Sequence, residues 1–243
     1  MKSRGYSYRH MAILYRSHFH SIEIQMMLAR NRIPVKITSG IGVFEQIHIK
    51  DTLAYLRLLL NPCDELSFMR LVELLPGVGE KSAMSMWKKL AGNFDTASSA
   101  ARDAFSGLLP AKAKPVWKGL GKSFEVAHEY LAEGKVADVI EDFCFLFYED
   151  HLGREYEESE AEDRLNDIKE LATQIVSAPG SLAGFLSEVA LMTNLDDPSN
   201  DSAADKITLS TVHQAKGMEW PVVVIPWCCE GMFPSSKAAE EGR

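Results

Sequence analysis

Strand-like segments cluster near the two ends of this sequence, and the long stretch between them has helical periodicity. Near the start, HMAILYRS and IPVKIT (residues 10–17 and 33–38) are short apolar runs that flank a helix-like segment. A second pair of apolar runs lies within Lys206–Pro226, separated by polar residues. A strand, a helix and a strand joined by short connections form a parallel α/β unit. The pattern therefore predicts an α/β domain interrupted by a mostly α-helical insertion.

The change from strand-like to helical patterns, and back again, sets the predicted domain boundaries. We expect the first part of the α/β domain at 1–38, the helical insertion at 39–204, and the second part at 205–243. The polar, turn-rich segment Asn194–Asp205 is typical of a crossing between domains. A single mixed α+β domain is the alternative, and the abrupt return of apolar strands after Asp205 favours the insertion.

The central stretch contains amphipathic helical patterns. The first is HIKDTLAYLRLLLN, whose apolar stripe with a 3.6-residue period consists of Ile49, Leu53, Leu56 and Leu60. Further helices are predicted from SFMRLVELL, KSAMSMWKKLAG, VADVIEDFCFLFYEDHL, EDRLNDIKELATQIVSA and SLAGFLSEVALMT. Near the start of the chain, Ser21 is predicted to cap the helix between the first two strands.

Composition limits the class of protein. The net charge of −8 argues against a broadly basic nucleic-acid-binding surface, although it does not exclude local contacts. No stretch of about 18 apolar residues and no apolar signal core occurs, so we expect a cytoplasmic protein without a membrane span. The four cysteines lack C-x-x-C spacing and are expected to be reduced, mostly buried thiols: Cys63, Cys144, Cys228 and Cys229.

The polar residues between the last two apolar runs are suited to binding charged ligands. Thr211 and His213 lie two residues apart at a predicted strand end, so their side chains are expected to point the same way. Lys216 and Gly217 follow in a turn, where glycine permits close approach of a ligand to the backbone. Glu219 offers a carboxylate suited to a ribose hydroxyl. A turn with incidental polar residues is the alternative, but the clustering of these five residues favours a binding site.

The segment ITLSTVHQAKGMEWPVVVIPWCCEGMFPS resembles motif V and its continuation in the UvrD/PcrA/Rep group of superfamily 1 DNA helicases. The family pattern is roughly T-[VL]-H-x-A-K-G-[LM]-E-[FW]-x-x-V, followed by E-[EG]-[GM]-[FL]-P. The matching residues are Thr211, His213, Ala215, Lys216, Gly217, Glu219, Glu230, Gly231, Phe233 and Pro234. Gln214 and Trp220 stand at positions where Ser and Phe are common in the family.

Earlier segments resemble the same family and follow its order. MAILYRSHFHSIEIQMMLARNRIPVKI is similar to the start of the second RecA-like domain, and GVFEQIHIKDTLAYLRLLLNPCDELSFMRLV to the opening of its helical insertion. In the second of these, His48 replaces a usual Glu. The resemblance covers essentially the whole chain and implies a partial RecA-like parallel sheet interrupted by a helical insertion.

The segment LLPGVGEKS resembles the P-x-x-G-[IV]-G element of that insertion, a helix-hairpin-helix-like turn. Gly77 and Gly79 allow backbone amides to approach a phosphate at a helix start, while Lys81 and Ser82 supply further donors. The alternative is an ordinary tight turn between helices. The position of the segment within the family order favours a contact with duplex DNA.

The resemblance also implies roles at the sheet. Arg16, Thr211 and His213 would line the track of single-stranded DNA. Gly217 and Glu219 would contact ATP, bound with Mg²⁺ between two RecA-like domains, and Glu219 would accept a hydrogen bond from the ribose. The implied activity is ATP-dependent 3′→5′ DNA unwinding in repair or replication. The oligomeric state is not predicted.

Some elements of such a helicase do not occur in the sequence. There is no G-x-x-x-x-G-K-[ST] phosphate loop and no acidic pair after an apolar strand to hold a metal ion. The family's arginine-bearing helix would follow Arg243. We therefore interpret the chain as a fragment that lacks the first RecA-like domain, contains no catalytic residue, and is inactive alone. The alternatives are a non-catalytic DNA- or partner-binding module and the helicase part of a helicase–nuclease subunit.

Overall fold

The structure, a computed structural model, describes residues 5–15, 20–38, 43–178, 180–195, 205–226 and 228. The fold class is α/β, as predicted, with a four-stranded parallel sheet and a helical insertion. The chain divides into two compact units, one formed by Met1–Gln46 with Glu188–Arg243 and the other by Ile47–Ser187. The predicted domain boundaries at residues 39 and 204 lie outside the described residues.

The sheet of the first unit combines strands from both ends of the sequence. Its strands are β1 (Met11–Tyr15), β2 (Val35–Ile37), β3 (Ile207–Thr211) and β4 (Val222–Val224), in the order β2-β3-β1-β4. All neighbouring pairs are parallel. The strands predicted from the apolar runs are therefore confirmed. Parallel strands cannot be joined by a tight hairpin, and a helix, α1 (His20–Arg30), connects β1 to β2.

The core of this unit lies around the two central strands. Its buried side chains are Met11, Tyr15, Leu28, Ile207 and Leu209. All five residues of β3 are buried, which explains its continuous run of β-branched and apolar residues, since a parallel strand is covered on both faces. Ser21 lies inside α1 rather than at its cap, because the helix begins at His20. Its buried hydroxyl accepts a hydrogen bond from the Gln25 side-chain amide at 2.9 Å.

The second unit is helical in the part of the chain that the structure describes. Its helices are α2 (Ile47–Leu60), α3 (Glu65–Glu73), α4 (Glu80–Lys89), α5 (Ser99–Leu108), α6 (Lys114–Ala132), α7 (Val136–Phe143), α8 (Glu149–Glu155) and α9 (Glu158–Ser177). A π-helical turn, Cys144–Tyr148, joins α7 to α8, and α10 (Leu182–Leu195) follows α9. Helices α5 and α6 are not predicted from the sequence; the other helices overlap the predicted segments, with ends that differ by up to four residues.

Helix α2 is buried more completely than its predicted stripe indicates. Ile49, Leu53 and Leu56 are buried as expected, whereas Leu60 is 43% exposed. The prediction for Leu60 is wrong because this residue is the last of the helix, where the chain turns away. Polar residues on the other faces of α2 are buried too, among them Asp51.

The buried carboxylate of Asp51 connects three elements of the helical unit. Its Oδ1 accepts a hydrogen bond from Arg70 Nε at 2.6 Å, and its Oδ2 accepts one from the Tyr148 hydroxyl at 2.5 Å. Burial and the adjacent carboxylate raise the pKa of Tyr148, so this hydroxyl keeps its proton and donates. A buried charge is tolerated only when it is paired and hydrogen-bonded. Asp51 therefore fixes α2 against α3 and the π-helical turn.

An aromatic cluster packs α3, α4, α5 and α6 together. Phe68 lies at its centre and is fully buried, with its ring centroid 4.8 Å from that of Trp87 and 5.6 Å from those of Phe94 and Phe105. Trp117 contacts Phe105 edge-on at 4.7 Å. Such tilted and edge-on pairs add to the free energy gained from burial. The cluster fixes the ends of α3 and α4 and so defines the turn between them.

Replacing Asp51 with Ala is expected to destabilise the helical unit by about 3 kcal/mol, because it removes the partner of a buried hydroxyl and of a cation. Urea denaturation followed by circular dichroism measures the loss. Asp103→Ala is the matched control, since Asp103 is an exposed acid of the same unit and should change stability by less than about 0.5 kcal/mol. Equal effects of the two substitutions would contradict the role given to Asp51.

Candidate nucleotide and nucleic-acid sites

The carboxyl ends of the parallel strands meet at one edge of the sheet, where α/β proteins bind ligands. Tyr15 ends β1 and is paired with Thr211, which ends β3. The connection continues one residue further, because the Val212 amide donates a hydrogen bond to the Tyr15 carbonyl oxygen at 2.9 Å. The polar segment predicted to bind a ligand therefore begins at the middle of this edge.

The residues after β3 form a turn closed by backbone hydrogen bonds. The Ala215 amide donates to the Thr211 carbonyl oxygen at 3.0 Å, and the Met218 amide donates to the Ala215 carbonyl oxygen at 3.0 Å. Gly217 has a φ of +84°, in the left-handed region that favours glycine, and a Cβ added there would meet no atom within 4 Å. The backbone conformation, rather than crowding, requires glycine at this position.

The turn separates Thr211 from His213, two residues whose side chains are predicted from the sequence to point the same way. Thr211 is buried, and its hydroxyl oxygen accepts a hydrogen bond from the Gln214 amide at 3.3 Å. His213 is exposed and belongs to the turn, not to the strand. Because β3 ends at Thr211, strand alternation does not give the two side chains a common direction. Thr211 shapes the turn, whereas the imidazole of His213 is accessible to a ligand.

Further exposed side chains follow His213 in the same segment. Lys216 and Glu219 are exposed, which leaves an ammonium and a carboxylate available to a ligand. Lys216 is present in the motif but has no predicted contact, although its exposure makes its ammonium available in the same turn as His213. Arg16 directly follows β1 in the sequence and lies outside the described residues.

The second candidate site is the turn between α3 and α4 in the helical unit. Gly77 has a φ of +77°, and Val78 is buried, with its amide donating to the Leu75 carbonyl oxygen at 3.1 Å. Gly79 precedes the first residue of α4 and has an extended backbone. Because Gly79 has no side chain, it cannot cap the amides of the first helical turn as Ser or Asp would.

Two polar residues near the start of α4 have different roles. The Ser82 hydroxyl accepts a hydrogen bond from the Gly79 amide at 3.0 Å and donates one to the Gly79 carbonyl oxygen at 2.8 Å. It therefore stabilises the turn. Lys81 is exposed, and its ammonium forms no ion pair within the described part of the chain. Glu80, also exposed, places an opposing carboxylate beside it.

His48, at the position where the family usually has Glu, is a buried structural residue. Its Nδ1 accepts a hydrogen bond from Arg164 at 3.1 Å, so its proton lies on Nε2, which faces the Asp167 carboxylate at 3.2 Å. The imidazole thus connects α2 to α9 through one acceptor and one donor. His48 in place of the usual Glu therefore still offers a hydrogen-bond acceptor to the Arg164 guanidinium.

The cysteines only partly follow the expectation of buried thiols. Cys144 is buried, and burial raises the pKa of its thiol to about 12. Cys63 and Cys228 are exposed, contrary to the expectation, and Cys229 lies outside the described residues. Among the described residues, no group of three His, Cys, Asp or Glu side chains could hold a metal ion, and no helix is long and apolar enough to cross a membrane.

Comparison with known proteins agrees with the resemblance seen in the motifs. The family model of the UvrD-like helicase C-terminal domain matches residues 1–243. The ATP-dependent DNA helicase PcrA of Bacillus subtilis is 31% identical over 95% of this chain. The ATP-dependent DNA helicase UvrD1 of Mycobacterium tuberculosis and the PcrA of Staphylococcus epidermidis are 27% and 28% identical over 96% of it.

These matches also define how much of a relative the chain represents. It spans 33% of the length of each of these three relatives. The match of the family model over all 243 residues agrees with the parallel sheet and its helical insertion. The chain belongs to the UvrD-like helicase C-terminal domain family.

Proposed function

We propose that this chain is the second RecA-like domain, with its insertion, of an ATP-dependent 3′→5′ DNA helicase that acts in DNA repair or replication. The observation that carries the proposal is the turn after β3, which presents exposed His213 and Glu219 on one short segment at the carboxyl edge of the sheet. The relatives named as ATP-dependent DNA helicases support it. In this proposal, His213 contacts a phosphate of single-stranded DNA, together with Arg16, and Thr211 supports the turn.

The same segment would contact the nucleotide. The Glu219 carboxylate suits a ribose hydroxyl of ATP, and Gly217 leaves room for the nucleotide beside the backbone. Because the turn is closed by backbone hydrogen bonds, a displacement at Glu219 would be transmitted to His213 without an intervening flexible segment. ATP binding and hydrolysis would thereby be coupled to movement along the DNA strand.

Hydrolysis itself would need groups that the 243 residues do not contain. The sequence has no phosphate loop, and the described residues contain no cluster suited to Mg²⁺. ATP and Mg²⁺ would therefore be held mainly by a first RecA-like domain, against which this chain supplies Glu219 and Gly217. Its remaining task in phosphoryl transfer is positioning.

The helical unit would contact duplex DNA through the turn between α3 and α4. The backbone amides at the start of α4 and the exposed Lys81 are suited to a phosphate, while Gly79, which has open space beside it, allows close approach to the backbone. Phosphate contacts position a protein on DNA and carry no sequence information. Such a contact suits an enzyme that unwinds DNA of any sequence.

The isolated chain is expected to show no DNA-stimulated ATP hydrolysis, because it lacks the phosphate loop. Release of inorganic phosphate in the presence and absence of single-stranded DNA measures this. Glu219→Gln serves to identify the source of any signal. Turnover that exceeds background and falls in this variant would contradict the assignment of the chain as one side of the nucleotide site.

Replacing His213 with Ala should weaken binding of single-stranded DNA about three- to tenfold, since it removes a phosphate contact. Fluorescence anisotropy with a labelled oligonucleotide measures the affinity. Glu219→Gln is the control within the same segment and should leave the affinity unchanged or slightly higher. Loss of affinity in Glu219→Gln but not in His213→Ala would reverse the two roles.

Replacing Lys81 with Ala should weaken binding of a blunt DNA hairpin more than binding of single-stranded DNA. Removing one phosphate contact also lowers the slope of log affinity against log salt concentration by about 0.9. Titrations of both DNAs at several salt concentrations measure the two quantities. Equal losses for hairpin and single strand would show that Lys81 is not a specific duplex contact.

A further inference from the structure

A lysine distant in sequence lies across the turn between α3 and α4. An ideal Cβ added to Gly77 would stand 1.7 Å from Lys112 Cε and 2.6 Å from Lys112 Nζ. The Lys112 side chain therefore occupies the space beside the Gly77 backbone that a larger residue would fill. Its ammonium lies within about 4 Å of the Gly77 Cα, given a carbon–carbon bond of about 1.5 Å.

The backbone around Lys112 is held in place by the packed helical core. Leu109 and Ala113 on either side are buried, and Ala113 donates a backbone hydrogen bond to Pro110 at 2.9 Å. Trp117, in the first turns of α6, belongs to the aromatic cluster that also fixes α3 and α4. The same core thus positions both the turn and the lysine beside it.

Within the residues that the structure describes, the Lys112 ammonium has no partner that would explain its position. It is exposed and forms no ion pair or hydrogen bond within the described part of the chain. An ammonium carries three N–H donors, which here remain available to a ligand. Near the turn, the Lys112 ammonium adds a second positive charge to that of Lys81.

The charge balance of the turn depends on this residue. The segment 76–82 contains one acid, Glu80, and one base, Lys81, so its formal charge is zero. A neutral turn has little attraction for a polyanion beyond its free amides. Lys112 makes the local charge positive and offsets the repulsion that Glu80 would exert on a phosphate.

We propose that Lys112 is a further phosphate-contacting residue of the duplex-binding turn. The inference rests on the proposed duplex role of that turn and adds to it a residue from the connection between α5 and α6. Lys112 and Lys81 then contact the phosphate backbone from two separate segments, with Gly77 between them. The glycine serves two purposes, since it permits the positive φ and leaves space for the lysine stem.

The experiment measures binding of a labelled blunt DNA hairpin to the 243-residue chain at several salt concentrations. Lys112→Gln is expected to weaken binding about three- to tenfold and to lower the salt slope by about 0.9, whereas Lys112→Arg keeps the affinity. Lys89→Gln is the matched control, because Lys89 is an exposed lysine about 15 Å along α4 from the turn. It should leave the affinity unchanged. Glu80→Gln should strengthen binding.

The outcomes separate this inference from the proposed function. If Lys81→Ala weakens hairpin binding while Lys112→Gln behaves like Lys89→Gln, the inference about Lys112 is wrong and the duplex role of the turn stands. If the chain does not bind the hairpin, or if no substitution at the turn alters binding, both are wrong. A loss in Lys112→Gln that Lys112→Arg does not share supports a contact made by charge.

Discussion

The parallel pairing of β1 with β3 is the constraint on which the rest of the molecule depends. It joins residues 12–15 to residues 208–211, so the whole helical segment must leave the sheet and return to it. An insertion of this length needs its own hydrophobic core. The aromatic cluster around Phe68 provides that core, and the buried, hydrogen-bonded Asp51 links α2 to its neighbours.

The same pairing determines where the polar turn after β3 lies on the sheet. Since all four strands are parallel, their carboxyl ends share one edge, and Tyr15 beside Thr211 sets the point from which the polar turn begins. In the helical unit, the aromatic cluster positions the candidate site. It fixes α3, α4 and the start of α6, so that a glycine turn and a lysine from another segment lie together. Each candidate site is thus built by the core of its own unit.

The sequence was most informative where one interaction dominates. Short apolar runs predicted all four strands, although Val223 and Val224 of β4 are exposed, and the spacing of apolar residues predicted α2, with Leu60 as the exception at its end. Helices α5 and α6 gave weaker signals, because glycine, proline and lysine interrupt their patterns, and their burial depends on aromatic partners in other helices.

The residues of the candidate site were named from the sequence, but which of them are buried and which are exposed was not. Motif and spacing identified Thr211, His213 and Glu219, yet only the end of β3 separates the buried threonine from the exposed histidine. Lys112 could not be associated with Gly77 from sequence, because about thirty-five residues separate them and neither belongs to a shared pattern. Such contacts depend on tertiary packing and are not indicated by local sequence patterns.

The hydrogen bonds of the turn after β3 explain which of its positions tolerate replacement. Gln214 contributes its backbone amide to Thr211, while its own side chain is exposed, so nearly any residue can supply the same bond. This accounts for the departure from the family's usual Ser at that position. Gly217 is different, because its left-handed backbone would cost a residue with a side chain roughly 1–2 kcal/mol. Within one short segment, the geometry of the main chain thus permits substitution at Gln214 and opposes it at Gly217.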